Sequence, residues 1–224
     1  PPIPWRGTSF TDPISVAVTK DPCGYPIHDG ILELIDRAAE ALVDAGYRVV
    51  EVDTPSIQEP FRDWFRTLIT EMNTALMPQV AEYGSDDIKT TFEYFFQMGE
   101  VLELDDYING FGDRTRMMRD WNLFLADYPL VLTPFYMNRL YDWDYDLQSF
   151  DACKDFLEAS TYSMAINYLS LPAGVVAMDL IEDRPAAVQI VGQRYREDTI
   201  CDALVSIQDR CGRLTDQLWA REDS

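Results

Sequence analysis

Covalent attack on a carbonyl needs a Ser, Cys, Thr or Lys nucleophile beside a base, with donors facing the oxyanion that develops. This chain offers few places for such a device. Its only histidine is His28, so any Ser–His or Cys–His pair must use it, although a polar residue in the first turn of a helix is a sufficient role. There is no Gly-x-Ser-x-Gly elbow and no glycine-rich phosphate loop. A Ser–Lys device would draw on Lys20, Lys89 or Lys154, each at a strand end or on an exposed helix face. Thirty-nine Asp and Glu residues supply carboxylates in number, yet no pair stands in an apolar neighbourhood that would drive two pKa values apart. Cys23, Cys153, Cys201 and Cys211 lack Cys-x-x-Cys spacing, and no His or Cys lies near His28, which argues against zinc. Asp142, Asp144 and Asp146 alternate, and an extended backbone would point all three carboxylates one way. Taking Asp142 as the first position of an EF-hand loop, however, puts Leu147 where glycine is needed and Cys153 where the bidentate glutamate belongs. The expectation is an acidic solvated rim with no metal and no cofactor. The residues alone show no catalytic constellation.

Any site must be held by a core, and 224 residues that are 47% hydrophobic, 12% aromatic and 25% charged suffice for one domain without disulfides or metals. Residues 1–224 are expected to form that single domain. Eighteen Lys and Arg against 39 Asp and Glu leave a net charge of −21, which repels phosphate backbones and anionic headgroups. Nucleic-acid and membrane-surface partners are therefore excluded as expectations. No apolar run approaches the roughly 20 residues that span a bilayer, and the start from Pro1 to Arg6 lacks a charged region followed by an apolar one. A soluble, cytoplasmic chain with reduced thiols is expected. If Cys201 and Cys211 share a helix, they lie about 15 Å apart along it, too far for a bond.

The elements read as α/β. Residues 14–19 are a β-branched apolar run closed by Lys20-Asp21-Pro22, the signature of a buried strand. From Pro26 the apolar positions Ile27, Ile31, Leu34, Ile35, Ala38 and Leu42 recur at helical spacing, and Gly46 stops the helix. A strand over Arg48–Asp53 follows, giving a crossover between parallel neighbours. Residues 58–126 carry helical stripes, among them Trp64, Phe65, Leu68, Ile69 and Met72, with breaks expected at Pro78, Gly84-Ser85 and Gly110-Phe111-Gly112. Their Phe and Met density is read as core packing. Tyr128–Pro134 predicts another strand, entering an aromatic and acidic loop over 135–150. A helix is expected over 151–168, then a hairpin of apolar 171–178 and 186–192 turning at Glu182–Pro185, and a last helix over 197–211 ending near Gly212. A mixed sheet flanked by helices results. No internal repeat and no interdomain linker is visible.

The run Ser163-Met-Ala-Ile-Asn167-Tyr-Leu-Ser-Leu171-Pro172-Ala173, followed by Arg184-Pro185-Ala-Ala-Val188-Gln189-Ile190-Val191-Gly192-Gln-Arg-Tyr195-Arg196-Glu197-Asp198, resembles the closing segment of amidase signature enzymes. That family closes with Asn-x-x-Gly-Leu-Pro-Ala at a helix end, a strand, Pro-x-Gly-x-Gln, and Arg-Tyr-x-Glu-Asp before the last helix. The first strand, the helix ending at Gly46, and Asp127–Pro134 are similar to the middle of such enzymes. The resemblance covers nearly the whole chain but only about the second half of a family member. It implies the C-terminal part of the amidase signature fold, and an amide C–N hydrolase whose Ser-Ser-Lys triad and Gly/Ser-rich loop lie upstream of these residues. The start at Pro1 rather than Met fits a cut chain, inactive alone and partnered by the missing catalytic segment.

Departures from the family pattern shape the substrate expectation. Ser170 and Ala187 stand where the family has glycines. Ser160 occupies the position, seven before Asn167, at which the glutamine-using amidotransferase branch has an acidic residue. A general amidase acting on a small-molecule amide is therefore preferred to a glutamine amidase of the amidotransferase type. Phe135, Tyr136, Ser160 and Ser163 are the candidate substrate-contacting residues, with no catalytic residue in the chain. Asn167, Pro172 and Gln189 are read as backbone-fixing. Two rivals remain: a non-catalytic binding module that kept the architecture, and a freestanding hydrolase using Ser or Cys with His28. A half-fold also exposes apolar surface, so self-association is expected.

Overall fold

The structure is a computed structural model that describes residues 6–7 and 10–222. Chain order runs β1 (Ser15–Val18), α1 (Asp29–Asp44), β2 (Arg48–Glu51), α2 (Gln58–Glu71), a π-helical turn (Met72–Leu76), α3 (Met77–Tyr83), α4 (Asp86–Met98) and α5 (Leu104–Asp127). It continues through β3 (Leu130–Pro134), a 3-10 turn (Tyr145–Leu147), α6 (Phe150–Glu158), α7 (Thr161–Tyr168), β4 (Ala173–Ile181), β5 (Arg184–Gly192), α8 (Glu197–Cys211) and α9 (Leu214–Glu222). The strands form one five-stranded sheet in the order β2-β1-β3-β5-β4. β1 is parallel to β2 and β3, and β5 is antiparallel to β3 and β4. The mixed sheet flanked by helices is the architecture the sequence implies.

Strand periodicity sorts the core into two faces. Val16, Val18, Leu130, Leu132, Val188 and Ile190 point to one side, where Ile31, Leu34, Ile35 and Leu42 of α1 and Ile200, Ala203 and Ile207 of α8 cover them. The alternate residues Ala17, Val131 and Val191 point to the other, under Met117, Trp121 and Leu125 of α5 and Tyr162, Ala165 and Ile166 of α7. Each fully buried Val, Leu, Ile or Met among them contributes about 1.5–3 kcal/mol. Because α1 lies on one face and α5 on the other, the chain leaves β1 toward β2 over one side and returns to β3 over the opposite side. The carboxyl ends of β1 and β3 are thus where the winding direction switches, the place where open α/β sheets form a crevice.

Five local expectations change. α5 runs straight through Gly110 and Gly112: two interior glycines cost about 1 kcal/mol each, less than the Met117, Trp121 and Leu125 stripe returns by packing. The break falls instead at Gly99, which caps α4 against Phe65. Pro78 does not interrupt the helical path, because it opens α3, where its missing N–H is tolerated. The helix expected over 151–168 is two, since Ser160 and Thr161 hydroxyls donate to Leu157 and Glu158 carbonyl oxygens and divert acceptors from the helical ladder. Asp142, Asp144 and Asp146 do not share a face: Asp144 is left-handed at φ 59°, Asp142 pairs with Arg184, and Asp146 accepts from Thr91 at 3.2 Å. α9 follows Gly212, beyond the last helix that the sequence pattern predicts. No helix among the described residues is long and apolar enough to cross a membrane.

The β4–β5 hairpin turns at Glu182 and Asp183, with φ 48° and 61°, the conformation of a two-residue turn that matches strand twist. α8 seats closely on this hairpin because Gly174 and Gly192 lack a side chain: a Cβ on Gly192 would lie 2.6 Å from Ile200 Cγ1. At Gly112, by contrast, a Cβ meets nothing within 4 Å. Urea unfolding should therefore show Gly112→Ala gaining about 0.5–1 kcal/mol and Gly192→Ala losing about 1–3 kcal/mol, with Ile200→Val restoring part of the latter loss.

Candidate functional site

The crevice begins where the Thr19 N–H donates to Leu132 O at 3.2 Å, the last rung between β1 and β3. Beyond it the chains part. On the β1 side, Asp21 accepts from the Cys23 N–H at 2.9 Å, and the Tyr162 hydroxyl donates to Asp21 O at 2.9 Å. On the β3 side, Met137 uses both backbone groups: its carbonyl accepts from the His28 N–H at 2.9 Å and its N–H donates to Ala159 O at 2.8 Å. Those two bonds set Phe135 and Tyr136 beside the α6–α7 junction that carries Ser160. His28 itself caps α1, its Nδ1 accepting from the Gly30 N–H at 3.1 Å.

Behind this wall lies a tyrosine cluster around one carboxylate. Tyr25, Tyr141 and Tyr145 all donate their hydroxyls to Asp155, Tyr25 at 2.7 Å and Tyr145 at 3.0 Å. The Asn138 amide donates to the Tyr25 and Tyr141 oxygens at 2.9 and 3.0 Å. The Tyr141 and Tyr145 rings stack at 4.1 Å, and Tyr136 meets Tyr141 edge-on while its hydroxyl donates to Phe156 O at 2.8 Å. Burial raises the pKa of Tyr136 and Tyr25, and burial together with the Asp155 carboxylate raises that of Tyr141. Every one of these hydroxyls therefore stays protonated and donating. Sequence reasoning missed Tyr25, Asn138, Tyr141, Tyr145, Asp155 and Tyr162, because Tyr25 and Asp155 are 130 positions apart and nothing local pairs them.

Of the sequence-derived candidates, Phe135 is exposed and Tyr136 is half-buried, both directly after the carboxyl end of β3. Ser160 is buried, with Oγ donating to Leu157 O at 2.6 Å, and Ser163 Oγ donates to Ser160 O at 2.9 Å. Each hydroxyl has its one proton committed and keeps its lone pairs, so it can only accept from a ligand. Gln189 is buried on the helix-α7 side of the sheet and donates to Thr133 Oγ1 at 3.1 Å, across the register Thr133↔Gln189. Pro172 O accepts from the Gly192 N–H at 3.0 Å. Asn167 is exposed in the last turn of α7, away from the other candidates, where its carbonyl accepts from the Ser170 N–H. Ser170 is left-handed at φ 53°, which explains why glycine suits that position.

Among the described residues, Cys23, Cys153, Lys20, Lys154 and His28 are not poised for attack. Burial pushes the Cys23 thiol up to about 12 and the Cys153 thiol up to about 11, so neither is a thiolate at neutral pH. Lys20 pairs with Asp36 and Lys154 with Glu158, and His28 Nδ1 is engaged as a cap. The arrangement can shape and line a site; among the described residues, these thiols, lysines and the histidine form no nucleophile–base pair.

A family model described as Amidase matches residues 2–201. This chain belongs to the amidase family. It is 31% identical over 223 residues to an indoleacetamide hydrolase of Bradyrhizobium diazoefficiens, covering 99% of this chain and 43% of that protein. The A-type component of a Streptococcus mutans glutamyl-tRNA(Gln) amidotransferase is 24% identical, over 87% of this chain and 44% of its own length. Among solved structures, a fatty acid amide hydrolase superposes with a TM-score of 0.73 at 17% identity, covering 94% of this chain and 42% of that one. A 6-aminohexanoate cyclic dimer hydrolase superposes at 0.72 and 14% identity, over 91% and 46%. These two show a shared fold. The chain spans less than half the length of each of these amidase relatives.

Two expectations follow from this geometry. Replacing Asp155 by Asn removes a charged acceptor shared by three tyrosines and should lower stability by about 1.5–3 kcal/mol, with faster amide exchange over 135–149. Because Cys23 and Cys153 remain protonated at pH values where an unfolded thiol, of pKa about 8.5, has ionised, the folded state binds more protons there. Stability should fall as pH rises from about 9 toward 12. An unchanged urea midpoint between pH 7 and pH 10 would contradict this.

Proposed function

We propose that this chain builds the supporting, non-nucleophilic part of a hydrolase that cleaves amide C–N bonds of small molecules, residues 1–224 acting as one unit. One observation carries the reading: 99% of the chain aligns with 43% of an indoleacetamide hydrolase, yet its Cys23 and Cys153 thiols are raised by burial and its histidine is a helix cap. The nucleophile is accordingly assigned to a catalytic segment outside these residues, as a Ser-Ser-Lys triad. In that scheme a serine hydroxyl adds to the amide carbonyl while its proton passes to the adjacent base. The tetrahedral oxyanion collapses, the C–N bond breaks, and ammonia or an amine leaves with a proton. Water then adds to the acyl-enzyme ester and returns the serine and a carboxylic acid.

The crevice residues supply binding. Phe135 and Tyr136 offer an aromatic surface beside the carboxyl ends of β1 and β3, suited to an amide bearing an apolar group. Ser160 and Ser163, whose remaining capacity is to accept, suit the N–H groups of a primary amide. The absence of a carboxylate at Ser160 disfavours glutamine, whose ammonium would have no partner there. The unbridged thiols suit a reducing, cytoplasmic setting.

Two measurements test this. Purified alone, the chain should release no ammonia from indole-3-acetamide and take no label from a fluorophosphonate probe, whereas a longer protein joining it to its catalytic segment should do both. Turnover by the chain alone, lost on changing one of its own residues, would overturn the assignment. In the longer protein, Ser160→Ala should raise KM for a primary amide about fivefold, the worth of one hydrogen bond of about 1 kcal/mol, with a smaller change in kcat.

A further inference from the structure

A second cleft lies at the opposite end of α7, between α2, α5 and the α7 C-terminus, with a volume of about 310 Å3. That is the lower end of the ~300–1,000 Å3 range of small-molecule sites. Trp64, Tyr107 and Phe111 give it aromatic walls, and the Tyr107 and Phe111 rings meet edge-on at 5.2 Å. Glu71 and Arg114 also line it. Arg114 is fixed in place: Nε donates to Tyr168 O at 2.6 Å, Nη2 donates to Ser170 Oγ at 2.5 Å, and the guanidinium sits 5.2 Å over the Tyr168 ring. Three of its five N–H groups remain. Glu71 accepts from the Tyr107 hydroxyl at 2.8 Å.

Neither charge has an ionic partner among the described residues. In a chain with 39 acidic side chains, an arginine held rigidly in an aromatic cleft and ion-paired to none of them among the described residues is a docking point for an anion. The glutamate in the same cleft is the matching point for a cation, and the two do not close on each other. Gly110 lines the same space, and a Cβ there would meet nothing within 4 Å. An interior helical glycine costs about 1 kcal/mol against alanine, and here its lack of a side chain leaves the cleft open.

We propose that this cleft binds an aromatic α-amino acid: Arg114 takes the carboxylate, Glu71 the ammonium, and Trp64, Tyr107 and Phe111 the ring. The site is separate from the crevice at Phe135 and stands whether or not the amide chemistry does. Titration calorimetry of the chain with L-phenylalanine or L-tryptophan should give binding at least tenfold tighter than with phenethylamine, 3-phenylpropionate or glycine, which lack the carboxylate, the ammonium and the ring respectively. Glu71→Gln keeps the Tyr107 hydrogen bond and should erase the advantage over 3-phenylpropionate. Arg114→Gln should erase the advantage over phenethylamine. Since Arg114 also caps α7, the decisive variant is Gly110→Leu, which fills the cleft with a better helix former: it should keep or raise the melting temperature and lose binding at least tenfold. No binding at millimolar amino acid, equal binding of 3-phenylpropionate, or undiminished binding by folded Gly110→Leu would each overturn the proposal.

Discussion

Met137 is the residue through which the functional end of this protein is assembled. Its side chain is fully buried, and its two backbone groups join the cap of α1 to the junction of α6 and α7. A buried peptide group must find partners for both N–H and C=O, and here satisfying one residue fixes three elements at once. The path of the chain after β3, the orientation of Phe135 and Tyr136, and the placement of Ser160 all descend from that pair of bonds. The tyrosines on Asp155 then lock the longer loop from outside, and ion pairs from Arg139 to Glu182 and from Arg184 to Asp142 tie it to the hairpin turn.

The sheet strands were largely legible in the sequence, because each carries a short β-branched or apolar run bounded by Pro, Gly or charged residues. The α1 stripe and the hairpin were legible for the same reason: their information is local. Failures cluster where tertiary contacts outweigh local preference. Gly110 and Gly112 look like a break until the Met117, Trp121 and Leu125 stripe anchors the helix that contains them. Ala159 and Ser160 look like the middle of a helix, and only the side-chain competition for Leu157 and Glu158 carbonyls divides it.

The candidate site was legible in a different way. Phe135, Tyr136, Ser160 and Ser163 came from resemblance to a family pattern, and what the structure adds is that the segment carrying Phe135 and Tyr136 is bonded to the end of α6, next to Ser160, through Met137–Ala159 and Tyr136–Phe156 contacts that no spacing rule encodes. The Asp155 cluster joins residues from the β1–α1 loop, the loop after β3 and α6, so its members carry no mutual signal in sequence. What the residues state on their own is chemical: one histidine, three lysines and no Gly-x-Ser-x-Gly elbow. The structure accounts for the histidine as a cap, for two of the lysines as ion-pair partners and for the Cys23 and Cys153 thiols as protonated.

β4 lies at the margin of the sheet, and Ala173, Val175 and Ala177 on one of its faces are exposed to solvent. Its pairing with β5 slips between Ala177 and Asp179, so the strand is kinked partway along. A flat margin of nine residues would template endless addition of like strands; this one offers two short, mutually twisted stretches. Fibrillar stacking is thereby disfavoured, while a single complementary ribbon shaped to the kink can still be accepted.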